Sequence, residues 1–198
     1  MGHDKRWPGW LAGILCGLAT PAQAEVAYGI EMAADPALHG CVNDDQPPGI
    51  FICRNVRFPD SRIAAYAVKA FPDTGICWLM AASRPEDADL MGQSIRATTD
   101  LFAAELALRY GRPQQRVDGI VNGAKIPEDE TWLETLIRED REYDHHWTSV
   151  PAEAQARGIR EISVSAYGLE DGRTVVHIEY FLANHDACVE NEKKVQAK

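Results

Sequence analysis

The chain is expected to fold as an α+β protein, an antiparallel sheet of hairpins with about two helices packed on one face, stapled by disulfides. Three observations point there. Two pairs of apolar, strand-like segments flank short turns, and two stretches with helical periodicity lie between them. Four cysteines remain once a candidate export leader is set aside. Strands, then helices, then strands favour helices layered on an antiparallel sheet.

Val26–Met32 reads as a short strand, followed by a turn or helical stub at Asp35-Pro36-Ala37-Leu38-His39-Gly40. Gly49–Val56 reads as a strand through Ile50, Phe51, Ile52 and Val56. Ile63–Ala70 and Ile76–Ala81 flank the turn residues of Phe71-Pro72-Asp73-Thr74-Gly75, which predicts a hairpin. Alternation places Tyr66, Val68 and Ala70 on one face, and likewise Ile76, Trp78 and Met80.

Helical spacing follows. Ile95, Thr98, Phe102, Leu106 and Arg109 recur at three- and four-residue steps, with Leu101 and Leu108 widening the stripe. Gly111 and Pro113 end that helix. A second helix is expected from about Asp129 to Tyr143. Trp132, Leu133, Leu136 and Ile137 form its apolar face, and Glu128, Asp129 and Glu130 favour its start through the helix dipole. Between the helices, Val117–Pro127 carries the turn signal Asn122-Gly123. A final hairpin joins Ile159–Tyr167 to Thr174–Leu182 across Glu170-Asp171-Gly172-Arg173.

Residues 1–24 match a cleaved signal peptide. Lys5 and Arg6 precede the apolar run Trp10–Ala19, Pro21 breaks it, and Ala22-Gln23-Ala24 supplies the small-x-small cleavage pattern. The run is about half the roughly 20 apolar residues that a membrane crossing needs. Ile14 and Leu15 before Cys16 are too large for a lipid-attachment site. Residues 25–198 are then expected as one periplasmic or secreted domain without stable membrane insertion.

Export removes Cys16 and leaves Cys41, Cys53, Cys77 and Cys188, an even set in an oxidising compartment. The favoured pairing is Cys41–Cys53, closing a turn-rich stretch around Pro47-Pro48-Gly49, and Cys77–Cys188, tying a central strand to the C-terminal segment. The CxxC spacing of a four-cysteine zinc site is missing. The chain carries 30 acidic and 20 basic residues, a net charge of −10. That balance argues against nucleic acid and anionic membrane surfaces as partners.

Candidate chemistry is sparse. Gly75-Ile76-Cys77-Trp78 resembles the G-x-C-W around the nucleophile of papain-like cysteine proteases, with His177 and Asn184 downstream. Those enzymes carry another cysteine where this chain has Thr74, and they set the nucleophile at a helix start that lowers its pKa. Cys77 instead enters an apolar strand. His177 and Glu179 share a strand face and could contact a ligand or metal. His145 and His146 are expected to end the second helix, beside Asp144, and His185 lies beside Asp186. Tyr143 and Trp147, one helical turn apart, are candidate recognition aromatics, whereas Trp78 and Trp132 fit core patterns. Arg138 and Arg141 interleave with Glu139, Asp140 and Glu142 as a solvated face. No GxSxG, Walker A or GxGxxG motif is present.

The expected function is a non-catalytic exported module that binds a protein or small ligand, for example at the cell envelope, and it calls for no cofactor. The alternative is a hydrolase or metal-dependent enzyme built from the dispersed residues His145, Asp144, His177 and Glu179.

Overall fold

In the computed structural model the described residues are 25–43, 47–121 and 123–197. The expected leader, the turn residues Asp44, Asp45 and Gln46, and Asn122 lie outside them. The elements in order are β1 (Glu25–Ala27), β2 (Ile30–Glu31), a 3-10 turn at Pro36–His39, β3 (Cys41–Asn43), β4 (Ile50–Cys53), β5 (Ile63–Phe71), β6 (Gly75–Ser83), β7 (Glu86–Asp87) and α1 (Gln93–Tyr110). There follow β8 (Gln115–Ile120), α2 (Trp132–Ile137), β9 (Arg141–Trp147), α3 (Ala152–Ala156), β10 (Ile159–Gly168), β11 (Arg173–Leu182) and α4 (His185–Gln196). A nine-stranded antiparallel sheet runs β3-β4-β5-β6-β11-β10-β9-β8, with β7 pairing β11 beyond the end of β6. Strands β1 and β2 form a separate two-stranded ribbon.

Alternation in the central hairpin sets the two faces. Ile162, Val164, Ala166, Val176, Ile178, Tyr180 and Leu182 are buried on one side, and α1, α2 and α3 pack over it. Helix α1 buries Ile95, Thr99, Phe102, Ala103, Leu106 and Tyr110. Leu101 and Leu108, expected to widen that stripe, point outward instead, because they lie seven residues apart on the far side of the helix. The carboxylate of Asp89 accepts from the backbone of Gln93 and Ser94 and so caps the start of α1. Gly92 precedes that start at φ 63°, and a Cβ there would run into the Trp132 ring.

Three sequence expectations are corrected. The second helix does not reach Tyr143: a capping box between Thr131 and Glu134 starts α2, which ends at Ile137. Glu139 then takes a left-handed conformation, φ 60°, and Arg141–Trp147 enters the sheet, so His145 and His146 belong to a strand rather than a helix end. The 117–127 stretch, read as a connection, contributes to β8, which pairs with β9. In β6, Cys77 is the extra residue of a bulge, since Lys69 pairs with Trp78 but Ala70 with Ile76. The bulge keeps Ile76 on the core face and turns Trp78 and Met80 to the other.

That second face carries α4, which the sequence pattern did not indicate. Its only buried residue is Cys188. Cys188 is bonded to Cys77, and the pair forms a small apolar cluster with Phe71 and Trp78. The ion pair Lys69–Glu192 at 2.9 Å and the edge contact of His185 on Phe181 hold the helix down. The other bridge joins Cys41 to Cys53 across β3 and β4. Among the described residues no helix is long and apolar enough to cross a membrane.

The bridges span 12 and 111 residues, so loop entropy assigns about 3 and over 4 kcal/mol to them. A C77A/C188A double variant should therefore lose more thermal stability than C41A/C53A, by roughly 2–6 °C in midpoint. Calorimetry of both variants checks this, and a larger loss from C41A/C53A would contradict it.

Candidate functional site

A cleft of about 760 Å³ opens on the helix side, at the corner where the β1–β2 ribbon meets the last turns of α1. The ribbon turns through Tyr28 and Gly29, both at positive φ (55° and 82°), as a two-residue hairpin requires. A Cβ at Gly29 would collide with Arg57, so only glycine fits. Tyr28 has no such freedom and is held there by its ring, which packs 4.9 Å from Tyr66 and edge-on to Tyr180 at 6.4 Å. Tyr110 meets Tyr180 at 6.5 Å from the α1 side. Tyr28, Tyr110 and Tyr180, with Ile178 beside them, thus form an aromatic floor. Burial pushes the Tyr28 and Tyr180 phenols well above their ordinary values, so both stay protonated.

The wall opposite α1 is the loop before β5. Phe58 N–H donates to the Tyr28 carbonyl, and Asp60 N–H donates to the Tyr66 hydroxyl. Arg62 spreads its fork over two carboxylates. It donates to Glu105 through both terminal nitrogens at 2.7 Å and to Asp60 through Nε and Nη2, while lying over the Phe102 ring. Arg62 hydrogen bonding holds Asp60 and Glu105 below the usual carboxylate range, against their partial burial. Arg109 and Arg157 stand at the rim. Among the described residues neither guanidinium has an ion-pair or hydrogen-bond partner, and Arg157 lies 6.0 Å from the Tyr110 ring.

The residues singled out in the sequence lie elsewhere. Tyr143, His145 and Trp147 alternate inward on β9 and are 1%, 7% and 0% exposed, so the recognition role expected for Tyr143 and Trp147 is corrected to packing. Trp147 donates to the Gly111 carbonyl. His145 Nε2 lies 2.7 Å from Asp100 Oδ1, which also accepts from the Tyr143 hydroxyl. Burial opposes ionisation of Asp100, but those bonds and the nearby Arg116 outweigh it and lower its pKa.

His177 and Glu179 face the opposite side of the sheet, so they never meet His145. There a second groove, about 470 Å³, is lined by Glu179, Asp144, His146, Ser163, Ser165 and Tyr167, among others. Register places Glu179 across from Ser163 and Ser163 across from His146. His177 stacks on Tyr167 at 4.4 Å, and the Trp78 indole donates to Glu179. Burial raises the Glu179 and Asp144 carboxyls and lowers the His177 imidazole. Cys77 is bridged, and Asn184 donates to the carbonyls of Thr74 and Ile76, so the papain-like set is not assembled. Among the described residues no three His, Cys, Asp or Glu side chains are grouped to hold a metal ion.

No protein-family model matches the chain, and neither a curated protein nor a solved structure is significantly similar to it.

A carboxyl raised in the fold contributes stability at low pH that is lost as pH climbs from its unfolded value, near 4.3, through the folded one. Glu179→Gln keeps an acceptor for Trp78 and should raise the thermal midpoint at pH 7 by a few degrees while leaving it unchanged at pH 4. Melting curves at both values test this, and a lower midpoint at pH 7 would show that the ionised carboxylate is needed.

Proposed function

We propose that the protein is an exported binding module that takes a small ligand in the tyrosine-floored cleft once a leader is removed behind Ala24. The observation that carries the reading is the floor itself. Three ring-bearing side chains converge under a concavity whose size falls in the roughly 300–1,000 Å³ range of small-molecule sites. Phe58 and Leu108, both markedly exposed, extend apolar surface to its mouth. The described lining contains tyrosines, arginines and carboxylates but neither imidazole nor thiol, which favours holding a ligand over transforming it. Strain at Tyr28 favours the same reading, since a positive φ at a large side chain costs about 1 kcal/mol or more and here positions a ring at the floor.

Export to the periplasm draws support from the basic, apolar and small-residue order of 1–24. Two disulfides fit the same compartment, because such bridges persist where thiols are not kept reduced. Protein recovered from a periplasmic fraction should begin at Glu25 by intact mass.

Binding is tested with 1-naphthol, a neutral two-ring probe, by titration calorimetry. The mature protein should bind it at one site. Ser61→Trp, a substitution at the exposed rim that fills the mouth with an indole, should abolish the signal while leaving the melting temperature within a few degrees. Absence of binding to the mature protein, or equal binding by the variant, would remove the cleft as the ligand site.

A further inference from the structure

The charges around the cleft are unequally matched, and this says what kind of ligand it takes. Three carboxylates and three guanidinium groups line it. Arg62 gives four of its five N–H donors to Asp60 and Glu105, so most of its bonding capacity is committed within the protein. The Glu25 carboxylate accepts from Gly29 N–H at 3.0 Å and so is oriented toward the ribbon turn. Arg109 and Arg157 remain, reaching the rim from the end of α1 and from the residue after α3, without a partner among the described residues. Beneath them are ring faces, and beside them the exposed Phe58 and Leu108.

We infer that the cleft selects an amphipathic organic anion, with a ring-bearing apolar body on the tyrosine floor and one carboxylate, sulfonate or phosphate head between Arg109 and Arg157. The inference rests on the binding reading above and adds charge selectivity to it. An apolar body gains from covering Tyr28 and Phe58, whereas the head supplies the carboxylate-like fork that a guanidinium pairs with in two parallel bonds. Arg157, near the Tyr110 ring, is partly desolvated, which strengthens its attraction for an anion over that of a fully hydrated cation. A cationic head would meet two like charges at the rim, while Asp60 and Glu105 are already engaged by Arg62.

Three probes of one ring size separate the possibilities: naphthalene-1-carboxylate, 1-naphthol and 1-naphthylmethylammonium, titrated into the mature protein at low and moderate salt. The carboxylate should bind at least tenfold more tightly than 1-naphthol, the ammonium more weakly than either, and the preference should shrink as salt rises. In an R109Q/R157Q variant the carboxylate should fall to the level of 1-naphthol, whose own affinity stays within about twofold. The arginines are exposed or half-buried, and an unchanged melting curve confirms the fold. Equal affinity for the carboxylate and 1-naphthol, or a preference surviving R109Q/R157Q, overturns the anion inference while the cleft keeps its ligand-binding role. Failure of all three probes to bind overturns both.

Discussion

The period of two in the β10–β11 hairpin constrains everything packed against it. From Glu161 to Gly168 the pairing with β11 is unbroken, so each residue's face is decided by parity. Even positions from Ile162 to Ala166 and from Val176 to Leu182 form a dry surface that α1, α2 and α3 cover. Odd positions 177, 179 and 181 place His177, Glu179 and Phe181 on the other face. A slip of one residue would push a carboxylate and an imidazole into the core and expose Tyr180, at a cost that no local rearrangement could offset. The same parity separates His145 from His177: His145 lies across from Val164 on the core face, and His177 lies across from Ser165 on the other.

The cleft arises at the corner where the main sheet's parity rule no longer applies. Strands β1 and β2 pair with each other rather than with the large sheet. Tyr28 packs the ribbon against that sheet through Tyr66 and Tyr180, while Ala33 and Ala34 exchange backbone hydrogen bonds with Ile76 of β6. The loop before β5 is pinned by Tyr66 below and clamped by Arg62 to α1. These contacts leave a gap between ribbon and helix rather than filling it. They engage all three guanidinium nitrogens of Arg62, while Arg109 and Arg157 have no ion-pair partner among the described residues. On the far face, the bulge at Cys77 has a comparable role. It sends Trp78 outward, where its indole meets Glu179, and leaves Cys77 in reach of Cys188 on a helix that has little else to bury.

Much of this was legible from residue order. Both hairpins and the first helix follow from alternation, turn residues and spacing, because those features report local backbone geometry. The favoured cysteine pairing, which the structure shows, came instead from the even cysteine count and the segments each bridge would tie. The second helix was overrun since Trp132, Leu133, Leu136 and Ile137 give a helical period that continues through Tyr143, while the left-handed turn at Glu139 has no marker such as glycine. Helix α4 has one buried residue and so no apolar stripe to read. The candidate site was missed for a different reason. Tyr28, Arg109, Arg157 and Tyr180 are scattered through 150 residues and carry no shared motif, and only the packing of a short ribbon against a helix end brings them together. His145 and His146 are neighbours in sequence and, as expected of neighbours on a strand, point to opposite faces of the sheet.

The six tyrosines offer a direct test of whether the cleft takes the proposed ligand. Three of them, Tyr28, Tyr110 and Tyr180, line the cleft, whereas Tyr143 is buried beside Asp100 and Tyr167 lies in the groove on the opposite face. With ring-carbon-labelled tyrosine in protein expressed from Glu25 onward, a titration with naphthalene-1-carboxylate followed by NMR should shift the Tyr28, Tyr110 and Tyr180 signals together and saturably, leaving Tyr143 and Tyr167 in place. Shifts confined to Tyr167, or spread evenly over all six rings, would contradict the cleft as the binding site.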